Sequence, residues 1–194
     1  MTFGLKMSDI IRTFIAVELP EKIYSSIEKI QEELKSHRFK IRWVRPRNIH
    51  LTLKFLGNTK KSDVDRIAKA AKESVKDIAP FSLFARGIGV FPNIKRPRVL
   101  WVGVYGQMDM LLKMQRNFES QLETVGFKKE CKPFKGHLTF ARIKDKVNSK
   151  KLIQALSVYS EFESGSFVIG KIILYKSQLK PSGPVYSKLY EMPL

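Results

Sequence analysis

The sequence predicts a single domain of mixed helices and strands, built as two lobes that each offer a strand to a shared cleft. Three observations lead there. Strand-type alternation and helix-type periodicity follow one another along all 194 residues, and no linker-like or low-complexity stretch divides them. The order strand, helix, strands, helix in the first half is echoed in the second. One phrase is written twice, "HLT" at 50–52 and at 137–139, and the offset of 137 − 50 = 87 residues is too long for a solenoid repeat but suits two equivalent lobes.

Each element has its own signal. Residues 12–19 (RTFIAVEL) are β-branched and aromatic and stop at Pro20, which reads as a strand. Ile23, Ile27, Ile30 and Leu34 then share one stripe of an amphipathic helix that starts just after the proline. A short strand at 41–44 is closed by Pro46, and a second at 49–57 ends at Gly57. Val64, Ile67, Ala68, Ala71, Val75 and Ile78 define the next helix face, with Ser62 or Asp63 as its cap. Runs at 81–91 and 98–104, joined by PNIKRP, predict a hairpin. Leu111, Met114, Phe118, Leu122 and Val125 mark a third helix that closes at Gly126. A strand at 137–143, a short helix at 149–159 and a long apolar strand at 165–179, bent at Gly170, complete the pattern before a tail of turn residues and one last short element.

Composition narrows the classes of function. Apolar residues make up 43% of the chain and aromatics 11%, an ordinary globular balance. The single cysteine, Cys131, allows neither an internal disulfide nor a cysteine-based zinc cluster, and a reducing cytoplasmic location is expected. No run is long and apolar enough to predict a membrane span, and the N-terminus lacks the pattern of a signal peptide; residues 1–6 are expected to be a dispensable tail ahead of an alternative start at Met7. Lys and Arg number 36 against 18 Asp and Glu, a net charge of +18. A surface this positive attracts polyanions, nucleic acid first among them. Heat-adapted surfaces are also rich in lysine, but they gain glutamate alongside it, and here the acids lag by half.

The repeated phrase carries the chemistry. Strand alternation puts His50, Thr52 and Lys54 on one face, and Leu51, Leu53 and Phe55 on the other, toward a core. His137 and Thr139 likewise share a face, while Leu138 and Phe140 pack. One such phrase alone reads most simply as an amphipathic strand with a wet face; two of the three histidines in the same setting do not. His37 lies in a basic turn and reads as surface. Imidazole both takes and gives a proton near neutral pH, so a pair can serve one reacting atom as base and acid. Threonine hydroxyls can donate to oxygens that gain negative charge. That set suits in-line attack on a phosphodiester. A metal centre would need more ligands, and the nearest acids to His137 are Glu130 and Asp145, seven and eight residues away.

With these motifs in view, the chain resembles the two-histidine phosphoesterases with paired H-x-[ST]-x motifs, and more narrowly the RNA 2′,3′-cyclic phosphodiesterases, also called 2′-5′ RNA ligases. RTFIAVELP, RWVRPRNIHLTLKFLG, GVFPNIKRPRVLWVGV, FKGHLTFARIK and SQLKPSGPVYSKL carry the resemblance nearly end to end. It implies a bilobal α+β fold over residues 1–194, with two antiparallel sheets lining a central cleft and helices on their outer faces. It implies hydrolysis of an RNA 2′,3′-cyclic phosphate end to a 2′-phosphate without metal or other cofactor, and a reverse reaction that makes a 2′-5′ linkage. By this resemblance His50 is the proton donor and His137 the proton acceptor, while Thr52 and Thr139 hold phosphate oxygens. Arg45, Lys54, Arg142 and Tyr186 are the candidate substrate contacts, although Arg142 has the wrong parity to share a face with His137 unless the strand ends or bends near Ala141. The implied partner is RNA with a cyclic phosphate end, tRNA fragments among the candidates, acted on by a monomer. The other readings of the same residues are a module that grips RNA ends without turning them over and a phosphodiesterase for small cyclic nucleotides.

Overall fold

The computed structural model describes residues 9–194, so the expected N-terminal tail and alternative start lie outside the described residues. The elements run β1 (Ile10–Val17), α1 (Glu21–Ser36), β2 (Ile41–Trp43), β3 (Leu51–Lys60), α2 (Val64–Val75), β4 (Phe81–Phe91), β5 (Val99–Gly106), α3 (Met108–Thr124), β6 (His137–Ile143), α4 (Ser149–Ser157), β7 (Phe167–Ile169), β8 (Lys171–Lys180) and β9 (Gly183–Pro193). All strand pairing is antiparallel. The strands follow the order β7-β4-β5-β6-β3-β1-β8-β9, with β2 also paired to β6.

The two expected sheets are the halves of this one curled sheet. Its central strands, β3 and β6, meet only at Leu51 and Leu138. One half is β3, β1, β8 and β9; the other is β7, β4, β5, β6 and β2. Gly170 is more than a bend: β7 before it pairs with β4 in one half, and β8 after it pairs with β1 in the other. The last element is also longer than expected, because β9 pairs with β8 along its whole length.

The helices tie the lobes together by crossing over. α1 follows β1, yet its buried Gln31 donates to the carbonyls of Val44 and Phe140 beside β2 and on β6, at 2.8 Å each. α3 follows β5, yet its Glu119 holds Lys54 of β3. α2 packs on α3, where Asn117 donates to the Ser74 carbonyl. The stripe Ile23, Ile27, Ile30 and Leu34 is buried as periodicity requires, and so are Leu111, Met114, Phe118 and Leu122. One apolar core runs through both halves, so neither lobe can shed its helices without exposing the other's sheet. Of the expected caps, Asp63 does precede α2, but its carboxylate takes Arg66 at 3.2 Å and not a backbone N–H.

Both motif strands carry a bulge just after their threonine. Along β1 and β3, Ile15 pairs with Lys54 and Ala16 with Thr52, which leaves Leu53 without a partner. Along β5 and β6, Leu100 pairs with Ala141 and Trp101 with Thr139, which leaves Phe140 over. An extra residue on one strand reverses the parity of everything beyond it. The position five after each histidine therefore faces the cleft, and the position four after it does not.

Candidate active site

The cleft between the lobes has a volume of about 730 Å³ and is lined by His50, Thr52, His137, Thr139, Arg45, Arg142 and Tyr186 among others. Seven of the eight residues singled out in the sequence are thus brought together. No Asp or Glu lines it, and among the described residues no three His, Cys, Asp or Glu side chains group as metal ligands.

The two imidazoles are held alike. His50 Nδ1 lies 2.8 Å from the Asn48 carbonyl, and His137 Nδ1 lies 2.7 Å from the Lys135 carbonyl, each two residues back along its own chain. A carbonyl can only accept, so Nδ1 carries the hydrogen in both rings and Nε2 is the atom left for chemistry. Each ring is braced by aromatics from the neighbouring strands. Phe14 stacks on His50 with centroids 4.8 Å apart, and Tyr186 meets it edge-on at 5.3 Å. Phe91 meets His137 edge-on at 5.0 Å, with Trp101 at 6.3 Å. Trp101 lies flat over Gly89, where a Cβ would fall 2.1 Å from the indole ring.

Both rings are shifted toward the neutral form. Burial, with the charges of Arg142 and His137 behind it, lowers His50 to about 4 against the pull of the Asn48 carbonyl. Burial also lowers His137, followed by the positive charges of Lys135 and Arg142, while its bond to the Lys135 carbonyl raises it. Both rings line the same cleft, and the charge of His137 bears on His50.

Lys54 is the expected contact that does not reach the cleft. It is 3% exposed and points to the helix side, where Nζ sits 2.6 Å from Glu119 and 2.8 Å from the Lys128 carbonyl. The bulge at Leu53 turns it away and turns Phe55, expected in the core, outward into the cleft at 56% exposure. The matching bulge at Phe140 resolves the parity of Arg142, which does line the cleft. Arg45 lines it too, with part of its fork used to hold the Ser182 carbonyl at 3.1 Å. Tyr186 packs against Phe14 and His50 and offers the cleft its flank. Arg47 turns away from the cleft lining and pairs with Glu21 at 2.6 Å. Sequence reasoning missed Phe14 and Phe55, and also Arg12 and Arg42, which line the same cleft. Strand parity could have found Phe14 and Arg12 on one face of β1.

Comparison with known proteins finds a repeat along the sequence, one motif histidine in each part. The family model described as "LigT like Phosphoesterase" matches twice, over residues 17–101 and 102–186. A Methanothermobacter thermautotrophicus protein named RNA 2′,3′-cyclic phosphodiesterase is 33% identical over 92% of this chain and 96% of its own. One of the same name from Methanocaldococcus jannaschii is 35% identical over 93% and 99%. Among solved structures, a Thermus thermophilus protein superposes with a TM-score of 0.80 at 27% identity, covering 95% of this chain and 98% of its own. Escherichia coli LigT shares the fold at 0.73 and 22% identity, covering 96% and 98%. The family model matches twice along the sequence, each match holding one H-x-T motif, and the relatives align over most of the chain: the chain belongs to the LigT-like two-histidine phosphoesterases.

Proposed function

We propose that the protein opens 2′,3′-cyclic phosphate ends of RNA to 2′-phosphates by acid–base catalysis from its two histidines, without metal. One observation carries this reading. Both imidazoles have Nδ1 locked on a backbone carbonyl, so both Nε2 atoms serve one cleft that holds two threonines and several cations but no carboxylate. The name borne by the relatives at 33% and 35% identity supports it.

His137 Nε2 takes a proton from water as the oxygen attacks phosphorus. The bond from phosphorus to the 3′ oxygen breaks on the opposite side, and His50 Nε2–H gives that oxygen its proton. The 2′-phosphate and a free 3′ hydroxyl remain. Thr52, Thr139 and Arg142 meet the charge that gathers on the non-bridging oxygens. With a 5′ hydroxyl in place of water as the nucleophile, the same proton transfers give a 2′-5′ linkage.

The depressed rings set the pH behaviour. The donor must be charged, so activity falls as pH rises above the higher of the pair's two apparent values. The acceptor must be neutral, so activity falls as pH drops below the lower. Both rings lie below the usual histidine value, so the bell for kcat/KM, which reports the free enzyme, is expected to peak on the acid side of about 6.5. A bound phosphate anion raises both rings, so the bell for kcat should sit at higher pH.

The experiment is product analysis on an oligonucleotide ending in a 2′,3′-cyclic phosphate, with chelator present, across pH. The expected product is the 2′-phosphate. A 3′-phosphate product, a need for added metal or a flat pH profile would each defeat the reading.

A further inference from the structure

Beyond the catalytic centre, the cleft continues along a track of cations that hydrolysis of the terminal ring does not use. Arg42 on β2 stands directly opposite Arg142 on β6 in the ladder, and both line the cleft. Like charges placed opposite one another on a sheet are destabilising, since their side chains sit about 5 Å apart at Cβ. Nothing in the fold requires arginine at 42, because β2 is a three-residue strand and this position is exposed. Nor does a carboxylate in the cleft lining answer the pair. Its charge is compensated only when an anion enters.

The facing wall repeats the arrangement. On β1, Phe14 pairs with Phe55 and Tyr175 in an aromatic row beside His50. Two residues further out, Arg12 pairs with Ser177, and Ser177 pairs with Tyr186, which makes a polar row of guanidinium, hydroxyl and phenol. Two residues along a strand is about 7 Å, a step comparable to that between successive phosphates of an extended RNA strand. Lys180, at the start of the β8–β9 turn, closes the same end. That turn is pinned to the segment joining β2 to β3, where Arg45 donates to the Ser182 carbonyl and Asn48 to the Pro184 carbonyl at 2.9 Å, so the track is held in place and does not depend on a loose loop.

We infer that Arg42 and Arg12, from opposite walls, grip the phosphodiester linking the terminal nucleotide to the one before it, so that the cleft selects oligonucleotides over mononucleotides. The inference rests on the proposed function and adds the length of substrate that this cleft reads. A single cyclic nucleotide engages the histidines, threonines and Arg142 but leaves Arg42 facing Arg142 with no second anion between the walls. A longer strand supplies it. Because that charge lies outside the reacting ring, its contacts serve binding and leave the proton transfers alone.

The test compares kcat/KM on cytidine 2′,3′-cyclic phosphate with kcat/KM on a trinucleotide ending in the same cyclic cytidylate. The wild type should prefer the trinucleotide by ten-fold or more at low salt, with the preference shrinking as salt rises. Arg42→Met relieves a like-charge contact and is expected to fold; it should bring the ratio of the two substrates toward one, and Arg12→Met should do the same from the other wall. Equal efficiency on both substrates in the wild type would overturn the inference and leave the proposed function standing. A variant that lowers both substrates in proportion would show a structural role and overturn it too. No turnover of either substrate by the wild type would overturn the functional reading beneath it.

Discussion

His50 and His137 hold equivalent places on two equivalent strands, yet their surroundings are unequal. His50 is packed under Phe14 and Tyr186, with Tyr175 6.4 Å away. His137 has Phe91 at its edge and the ammonium of Lys135 close by, poised 4.5 Å over the Trp101 ring. Burial dominates the first ring; burial and a fixed neighbouring cation act on the second. An internal repeat supplies two like tools, and under the proposed function their differing neighbours suit them to different work. Acid and base at one phosphorus must differ, because the proton moves from one side of it to the other.

The largest effect that can break this comparison is loss of either ring. His50→Ala and His137→Ala should each lower kcat/KM on the cyclic phosphate by about 10²–10⁴-fold. What separates them is the leaving group. A phosphodiester that releases nitrophenolate needs no proton on the departing oxygen. It should restore most of the activity of His50→Ala and little of that of His137→Ala. Equal rescue of both variants, or rescue of His137→Ala alone, would show the two roles to be shared or reversed.

The plan of two lobes and both H-x-T strands were legible in the sequence because they follow from period alone. Strand alternation put His50 with Thr52 and His137 with Thr139, and the structure keeps both pairs in the cleft. What alternation could not reveal was the pair of bulges. They are set by ladder register against β1 and β5, which a single strand's sequence does not encode. Lys54 and Phe55 were therefore placed on the wrong faces, and Arg142 looked out of phase when it was not. Arg42 escaped notice for a similar reason: only pairing across to β6 brings a residue 142 − 42 = 100 positions away beside Arg142. Burial of a lysine in so basic a chain also has no signal in composition.

That buried lysine marks the second difference between the halves. Four residues after His50 stands Lys54, and four after His137 stands Ala141, both turned to the helix side. The second lobe fills the place with a methyl group. The first fills it with an ion pair whose Lys54 side chain is 2% exposed and whose Glu119 also accepts from Gln115 at 2.8 Å and from the Glu130 N–H at 3.0 Å. Glu119→Ala should strand the ammonium and cost about 3–5 kcal/mol, read from the midpoint of chemical denaturation. Replacing both partners, Lys54→Met with Glu119→Gln, should recover most of that, since a buried pair exchanged for well-packed neutral groups is often neutral. A Glu119→Ala protein as stable as the wild type would show that water reaches the lysine and that the two lobes are closer in kind than they look.

The smallest expected effect tests the cation beside His137. Lys135 serves that ring twice: its carbonyl accepts the Nδ1–H at 2.7 Å, and its ammonium is parked over Trp101 and, at 5.4 Å, over Phe91. Its counterpart Asn48 also gives a carbonyl to its histidine but carries no charge. Three charged or titratable groups bear on this site: Lys135, Arg142 and His50. Lys135→Met keeps the carbonyl and removes one positive charge, so His137 should bind its proton more readily. The lower apparent value of the pair follows the more deeply depressed His50, so a raised His137 should move the basic limb of the kcat/KM profile up, while Lys135→Arg should hold it near its original place. A profile in which neither limb moved would show that the Lys135 ammonium does not act on the His137 ring.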